Sequence, residues 1–139
     1  VAAPILYGLH HQINLEKLNN AASIVQHCSR MVVSSNKPII GSSYSQIESG
    51  TVATEYSRLS KAHEDIQWLF PFDPRMIGRP DVSLVTGKGS GLANIDAVLE
   101  RSNRRLDDAE KRILLERAKA ESIRLHRLLT DSEVLALIG

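Results

Sequence analysis

Apolar residues in this chain recur mostly at three- and four-residue steps, the spacing of one helix face. Leu15, Leu18, Ala22, Val25 and Cys28 form such a face, with Glu16, Lys17, Asn20 and His27 opposite. Asn14 stands where a cap belongs, and the helix is expected to run to about Ser29. Ser34, Ser35, Asn36 and Pro38 then break the pattern. Ile39 and Ile40 are a short apolar pair, expected as a strand or an extended plug into a core. Gly41 to Gly50 is polar and rich in Ser and Gly, the composition of a surface loop with its own task. A second helix is expected from about Thr54 to Gln67, with Tyr56, Leu59, His63 and Ile66 on a common face. Trp68-Leu69-Phe70-Pro71-Phe72-Asp73-Pro74 ends it as an apolar docking elbow, since two prolines forbid a continuing helix.

Beyond the elbow, Val82 to Thr86 reads as a short strand before a glycine-rich turn. Leu92 to Arg101 reads as a short helix with Leu92, Ile95 and Leu99 inward. Asp107 and Glu110 have capping-box spacing, and so do Thr130 and Glu133. They predict a helix–turn–helix tail. Its first helix runs to about Leu128, with Ile113, Leu114, Arg117, Ala118, Glu121 and Leu125 near one stripe. The fold class is therefore mainly α with a small β component (α+β), as helical subdomains joined by extended loops. The expected division is a helical subdomain over 1–80, carrying the loop 34–53, and a strand with C-terminal helices over 81–139.

Composition narrows the picture. The chain has 139 residues, enough for one domain or one compact part of a larger protein. At 4% aromatic residues, its core must come from Leu, Ile, Val and Ala. A net charge of +1 argues against nucleic acid and membrane surfaces as partners. No stretch reaches the ~18 apolar residues of a membrane span, and no signal peptide pattern is visible. The single cysteine, Cys28, is expected as a small buried hydrophobe in a reduced, cytoplasmic setting. Opening at Val1, inside an apolar run, suggests a piece of a longer protein.

Candidate chemistry is sparse. His10-His11 are adjacent and point to different sides of any element, so they chelate poorly. His27, His63 and His126 fall on three separate helices. Gly87-Lys88-Gly89-Ser90-Gly91 lacks the early glycine of a P-loop, with Val82 in its place. It also lacks the hydroxyl residue after the lysine, where Gly89 stands. ATP binding is excluded on that ground. The turn's amides with Lys88 and Ser90 could still hold a carboxylate or phosphate, against the plainer reading of a tight turn and helix cap. Arg101, Arg104 and Arg105 are offset by Asp107 and Asp108. Glu48, on its glycine-flanked loop, is the one carboxylate placed for a task, structural or catalytic.

Taken in order, Leu6-Tyr7-Gly8, Leu15-Glu16-Lys17-Leu18, Asn36-Lys37-Pro38-Ile39-Ile40-Gly41, Glu48-Ser49-Gly50, Pro71-Phe72-Asp73-Pro74, Ile77-Gly78-Arg79, Gly87-Lys88-Gly89-Ser90-Gly91 and Leu129-Thr130-Asp131 form a series. This series resembles the region after the catalytic barrel in the isopropylmalate, homocitrate and citramalate synthase family. The resemblance covers nearly the whole chain. It implies a fragment without the TIM barrel. The divalent metal and catalytic base lie in that missing barrel, and no cofactor or metal ligand belongs to this region. It implies dimerisation in a cytoplasmic, homodimeric acyltransferase, with a loop lidding the neighbouring subunit's active site. Lys37, Tyr44, Gln46, Glu48, Ser49, Gly50 and Thr51 are then the lid candidates that position a carboxylate substrate, and Lys88 and Ser90 the anion-binding candidates.

Departures from the family pattern matter as much. The family's His-Glu-Ser-Gly-Ile-His is here Ile47-Glu48-Ser49-Gly50-Thr51-Val52, and the histidine of Gly-Lys-His-Ser-Gly is Gly89. The family tyrosine before the Asp-Pro elbow falls near Leu69. Ile, Val and Gly cannot transfer protons near neutral pH as imidazole does. The resemblance thus points to a divergent branch with another acyl acceptor, or to a lyase or aldolase. A stand-alone helical interaction module is the other reading.

Overall fold

The computed structural model describes residues 7–8, 12–62, 66, 69–79 and 82–139. His10, His11, His63 and Trp68 lie outside the described residues. The chain divides into two compact units, one of residues 1–46 and 65–82, the other of 47–64 and 83–139. The second boundary falls two residues from the expected 80/81 division, and the segment 47–64 groups with the C-terminal helices.

In the first unit, a 3-10 turn at Leu15–Lys17 runs into helix α1, Leu18–Ser29. Leu15, Leu18 and Ala22 are half-buried, as the apolar stripe requires. The stripe then leaves the protein: Val25 is 64% exposed and Cys28 is exposed, so the expected buried cysteine is corrected. The cap also differs, because Asn14 makes no side-chain bond to the helix start. Helix α1 ends at Arg30, in the left-handed region at φ 57.

The Ile39-Ile40 pair is neither strand nor extended plug. Ile39 has φ 71, and the Ile40 amide donates to the Pro38 carbonyl at 2.8 Å, a three-residue γ-turn. Proline fixes the entry, and the Gly41 amide closes the loop on the Lys37 carbonyl at 2.8 Å. A β-branched residue at positive φ is a strained arrangement.

The elbow behaves as its composition demands. Phe70, Phe72, Pro74 and Ile77 are buried, and the Tyr44 ring stacks on Phe72 with centroids 5.8 Å apart. Asp73 caps the 3-10 turn Pro74–Ile77 by accepting from the Arg75 amide at 2.9 Å. Gly78 ends it at φ 70, and a Cβ there would stand 1.9 Å from the Glu16 carbonyl oxygen. Only glycine lets these two 3-10 turns meet. Asn19 fastens them by donating to the Ile77 carbonyl at 2.9 Å.

In the second unit, strand β1 (Gln46–Ile47, its Ile47 lying here) pairs with β2 (Ser83–Leu84). Helix α2, Gly50–Ala62, starts four residues before the expected Thr54, so Gly50, Thr51 and Val52 form a helical turn rather than loop. Helix α3, Leu92–Arg101, matches its expected span. Helices α4, Asp108–Leu125, and α5, Asp131–Ala136, form the predicted helix–turn–helix, and both capping boxes are present.

Ile95, Val98 and Leu99 of α3 pack with Leu114, Leu115 and Ala118 of α4, Leu129 and Val134 into one core. The α4 stripe is shifted from expectation: Leu115 and Ser122 face inward, whereas Ile113 is 54% exposed. The helix also stops at Leu125, because His126 takes the left-handed conformation at φ 53. Arg101 is exposed, as a surface cation should be, and is also ion-paired. Its Nε and Nη2 donate to Asp131 at 2.7 and 2.9 Å, and Nη2 also reaches the Leu84 carbonyl at 3.2 Å.

Candidate functional site

Two sequence motifs some forty residues apart come together in the second unit. Gly89 is held at both ends of its backbone: its amide donates to Glu48 Oε1 at 2.9 Å, and its carbonyl accepts from the Gly50 amide at 2.9 Å. Helix α2 therefore starts directly on the glycine-rich turn. Glycine is required where the two backbones touch. A Cβ on Gly50 would lie 2.6 Å from the Gly91 nitrogen, and one on Gly91 would lie 2.9 Å from the Gly50 Cα. Real Cβ atoms do not approach other atoms that closely.

Buried polar groups support this junction. Asn94 is fully buried on the first turn of α3. Its Oδ1 accepts from the Gly91 amide at 2.9 Å, and its Nδ2 donates to Val85 and Ile47 carbonyls at 2.8 and 3.2 Å. One side chain thus ties the turn, β1 and the end of β2 together, and its hydrogen-bonding capacity is nearly filled. Ser90 is buried too; its hydroxyl accepts from the Gly87 amide at 2.8 Å and donates to the Val85 carbonyl at 3.3 Å.

Two of the amides that could cradle an anion are therefore occupied within the protein. Gly87 N–H serves Ser90 and Gly89 N–H serves Glu48. Glu48 supplies an anion from the chain itself, occupying the turn. Lys88 is exposed at the tip, and Ser49 and Thr51 are exposed beside Glu48 in sequence.

Of the other lid candidates, Lys37 and Gln46 are exposed and belong to the first unit. Tyr44 belongs there too, against Phe70 and Phe72. Its hydroxyl is buried without a hydrogen-bond partner, and desolvation raises its pKa. Sequence reasoning missed Asn94 and Arg79. The first was legible as a cap-type residue three positions after Gly91; the second stood in the Ile77-Gly78-Arg79 motif without a role assigned to it.

Among the described residues, no three of His, Cys, Asp or Glu gather to hold a metal ion. This donor set does not fit a divalent metal. No helix among the described residues is long and apolar enough to cross a membrane.

No family model matches the chain. Individual proteins do, and they belong to one class, synthases named for 2-hydroxy acid products. The chain is 31% identical over 138 residues to the putative (R)-citramalate synthase CimA of Archaeoglobus fulgidus, covering 99% of the chain and 27% of that protein. It is 27% identical over 137 residues to the (R)-citramalate synthase CimA of Methanocaldococcus jannaschii, covering 99% of the chain and 26% of that protein. It is 27% identical over 132 residues to the 2-isopropylmalate synthase of Geobacillus stearothermophilus, covering 95% of the chain and 24% of that protein. The chain spans about a quarter of the length of these relatives. It is homologous to one part of the citramalate and isopropylmalate synthases, the part to which its motifs pointed.

Proposed function

We propose that this chain is the non-catalytic region of a citramalate or isopropylmalate synthase-like acyltransferase that dimerises the enzyme and closes over the partner subunit's active site. The parent would serve amino-acid biosynthesis in the cytoplasm, with its divalent metal and catalytic base in a barrel outside this chain. The observation that carries the reading is the junction itself. Glu48-Ser49-Gly50 and Gly87-Lys88-Gly89-Ser90-Gly91 are joined by two hydrogen bonds at Gly89, backed by buried bonds from Asn94 and Ser90. The network gives a rigid seat, and Ser49, Thr51 and Lys88 remain exposed on it. In this reading Glu48 is a positioning residue, which fixes the start of α2 against the turn. Lys88 or Lys37 supplies positive charge toward a carboxylate substrate.

The test is an assay of the 139-residue chain alone with acetyl-CoA, a range of 2-oxo acids and Mg2+ or Mn2+, following thiol release, with sedimentation run beside it. No turnover, and a dimer, are expected. Turnover carried by this chain alone would overturn the reading. A stand-alone interaction module is the second reading. The solvent-facing Val25, Met31 and Val32, up to 87% exposed, favour it.

A further inference from the structure

We propose that the first unit holds a binding site for a small aliphatic carboxylate, centred on Arg79. The site is a half-open cleft of about 270 Å³ on the flank of α1, far larger than a single water requires. Ala22, Val33 and Ile40 supply an apolar wall; Gln26, Ser42 and Arg79 supply the polar side. Among the described residues that line it, none is acidic and Arg79 is the one cation.

The state of Arg79 carries the inference. Its Nη2 is fixed by the Gly41 carbonyl at 2.7 Å, so the guanidinium is held in place rather than waving in solvent. Its Nε is buried, with no hydrogen-bond partner among the described residues. A buried donor left unmade bears the full cost of desolvation, and guanidinium presents donors in the fork that matches a carboxylate. Gln26 is oriented as well. Its Oε1 accepts from the Val33 amide at 3.0 Å, which leaves its NH2 as a further donor on the cleft. Two anchored donor groups beside three aliphatic side chains fit a carboxylate with a short branched tail better than a fully hydrated oxyanion. The inference does not rest on the lidding role and would stand if that role failed.

The experiment titrates the 15N-labelled full chain with isobutyrate and, separately, with inorganic phosphate, following the Arg79 Nε–H resonance by NMR. A saturable shift with isobutyrate, at least about tenfold tighter than with phosphate, is expected. Arg79→Lys should weaken binding about tenfold or more, but it also removes the Gly41 bond and with it a tie of the fold. Ser23→Glu therefore serves as the second variant. Ser23 sits on exposed helix surface at the cleft rim, and its substitution places a carboxylate beside the guanidinium without touching the Gly41 bond. It should abolish the isobutyrate shift while the fold's spectrum is retained. An unmoved Arg79 resonance, equal affinity for phosphate, or unchanged isobutyrate binding by Ser23→Glu would each overturn the proposal.

Discussion

Gly50→Ala is the sharpest probe of the junction. Placing alanine near a helix start ordinarily helps, because glycine costs up to ~1 kcal/mol relative to alanine within a helix. Here the new methyl would meet the backbone of the turn, 2.6 Å from the Gly91 nitrogen and 2.7 Å from the Gly91 Cα. Backbone cannot rotate away as a side chain can. Helix α2 must therefore lift off the turn, which strains the Gly50-to-Gly89 hydrogen bond of 2.9 Å as well. Overpacking of this kind costs roughly 1–3 kcal/mol, so a net loss of about 1 kcal/mol is expected after the propensity gain. With a urea slope on the order of 1–3 kcal/mol per molar, the midpoint should fall by about 0.5 M. Gly89→Ala is the control two residues from Gly91. Its methyl would lie 3.4 Å from Glu48 Oε1, an ordinary contact, and its stability should stay within about 0.5 kcal/mol of the parent. Urea unfolding followed by far-UV circular dichroism measures both. Equal midpoints for the two variants would refute the close-approach argument.

Three further outcomes are expected. Asn94→Ala should lose roughly 2–3 kcal/mol in the same urea experiment, because it orphans the Gly91 amide and leaves a cavity under the turn. Glu133 is held at about 2, well below its ordinary 4.5, first by the Arg127 guanidinium, then by the Thr130 amide and hydroxyl. A depressed carboxylate stabilises the fold above its unfolded pKa and loses that contribution as pH falls through the folded one. Thermal stability should thus decline between about pH 4.5 and 2, and Glu133→Gln should decline less over that window; parallel melting-versus-pH curves would contradict the assignment. Cys28 should react with a bulky thiol reagent in the native protein at nearly the rate seen in denaturant, since it is exposed on α1; strong native-state protection would contradict this.

The C-terminal helices were legible because their signals are local. Asp107 with Glu110, and Thr130 with Glu133, mark helix starts within four residues of chain, and both boxes form. The α1 stripe was misread for the opposite reason. Val25 and Cys28 have helical spacing, but periodicity says which residues share a face, not whether anything covers it. Ile39 misled because propensity favours a strand for β-branched residues, whereas Pro38 and the Gly41 closure impose a turn. The junction was half legible: both glycine motifs stood out, but the Glu48-to-Gly89 bond spans 41 residues, and nothing local announces such a contact.

The most direct measurement joins this chain to the rest of the Archaeoglobus fulgidus putative citramalate synthase, in place of the quarter that it matches, and follows CoA release from acetyl-CoA with a 2-oxo acid. The account predicts turnover by the hybrid and none by either part alone, with Lys88→Ala raising KM for the oxo acid more than it lowers kcat. Turnover by the rest of the synthase that is unaffected by adding or removing this chain would contradict it.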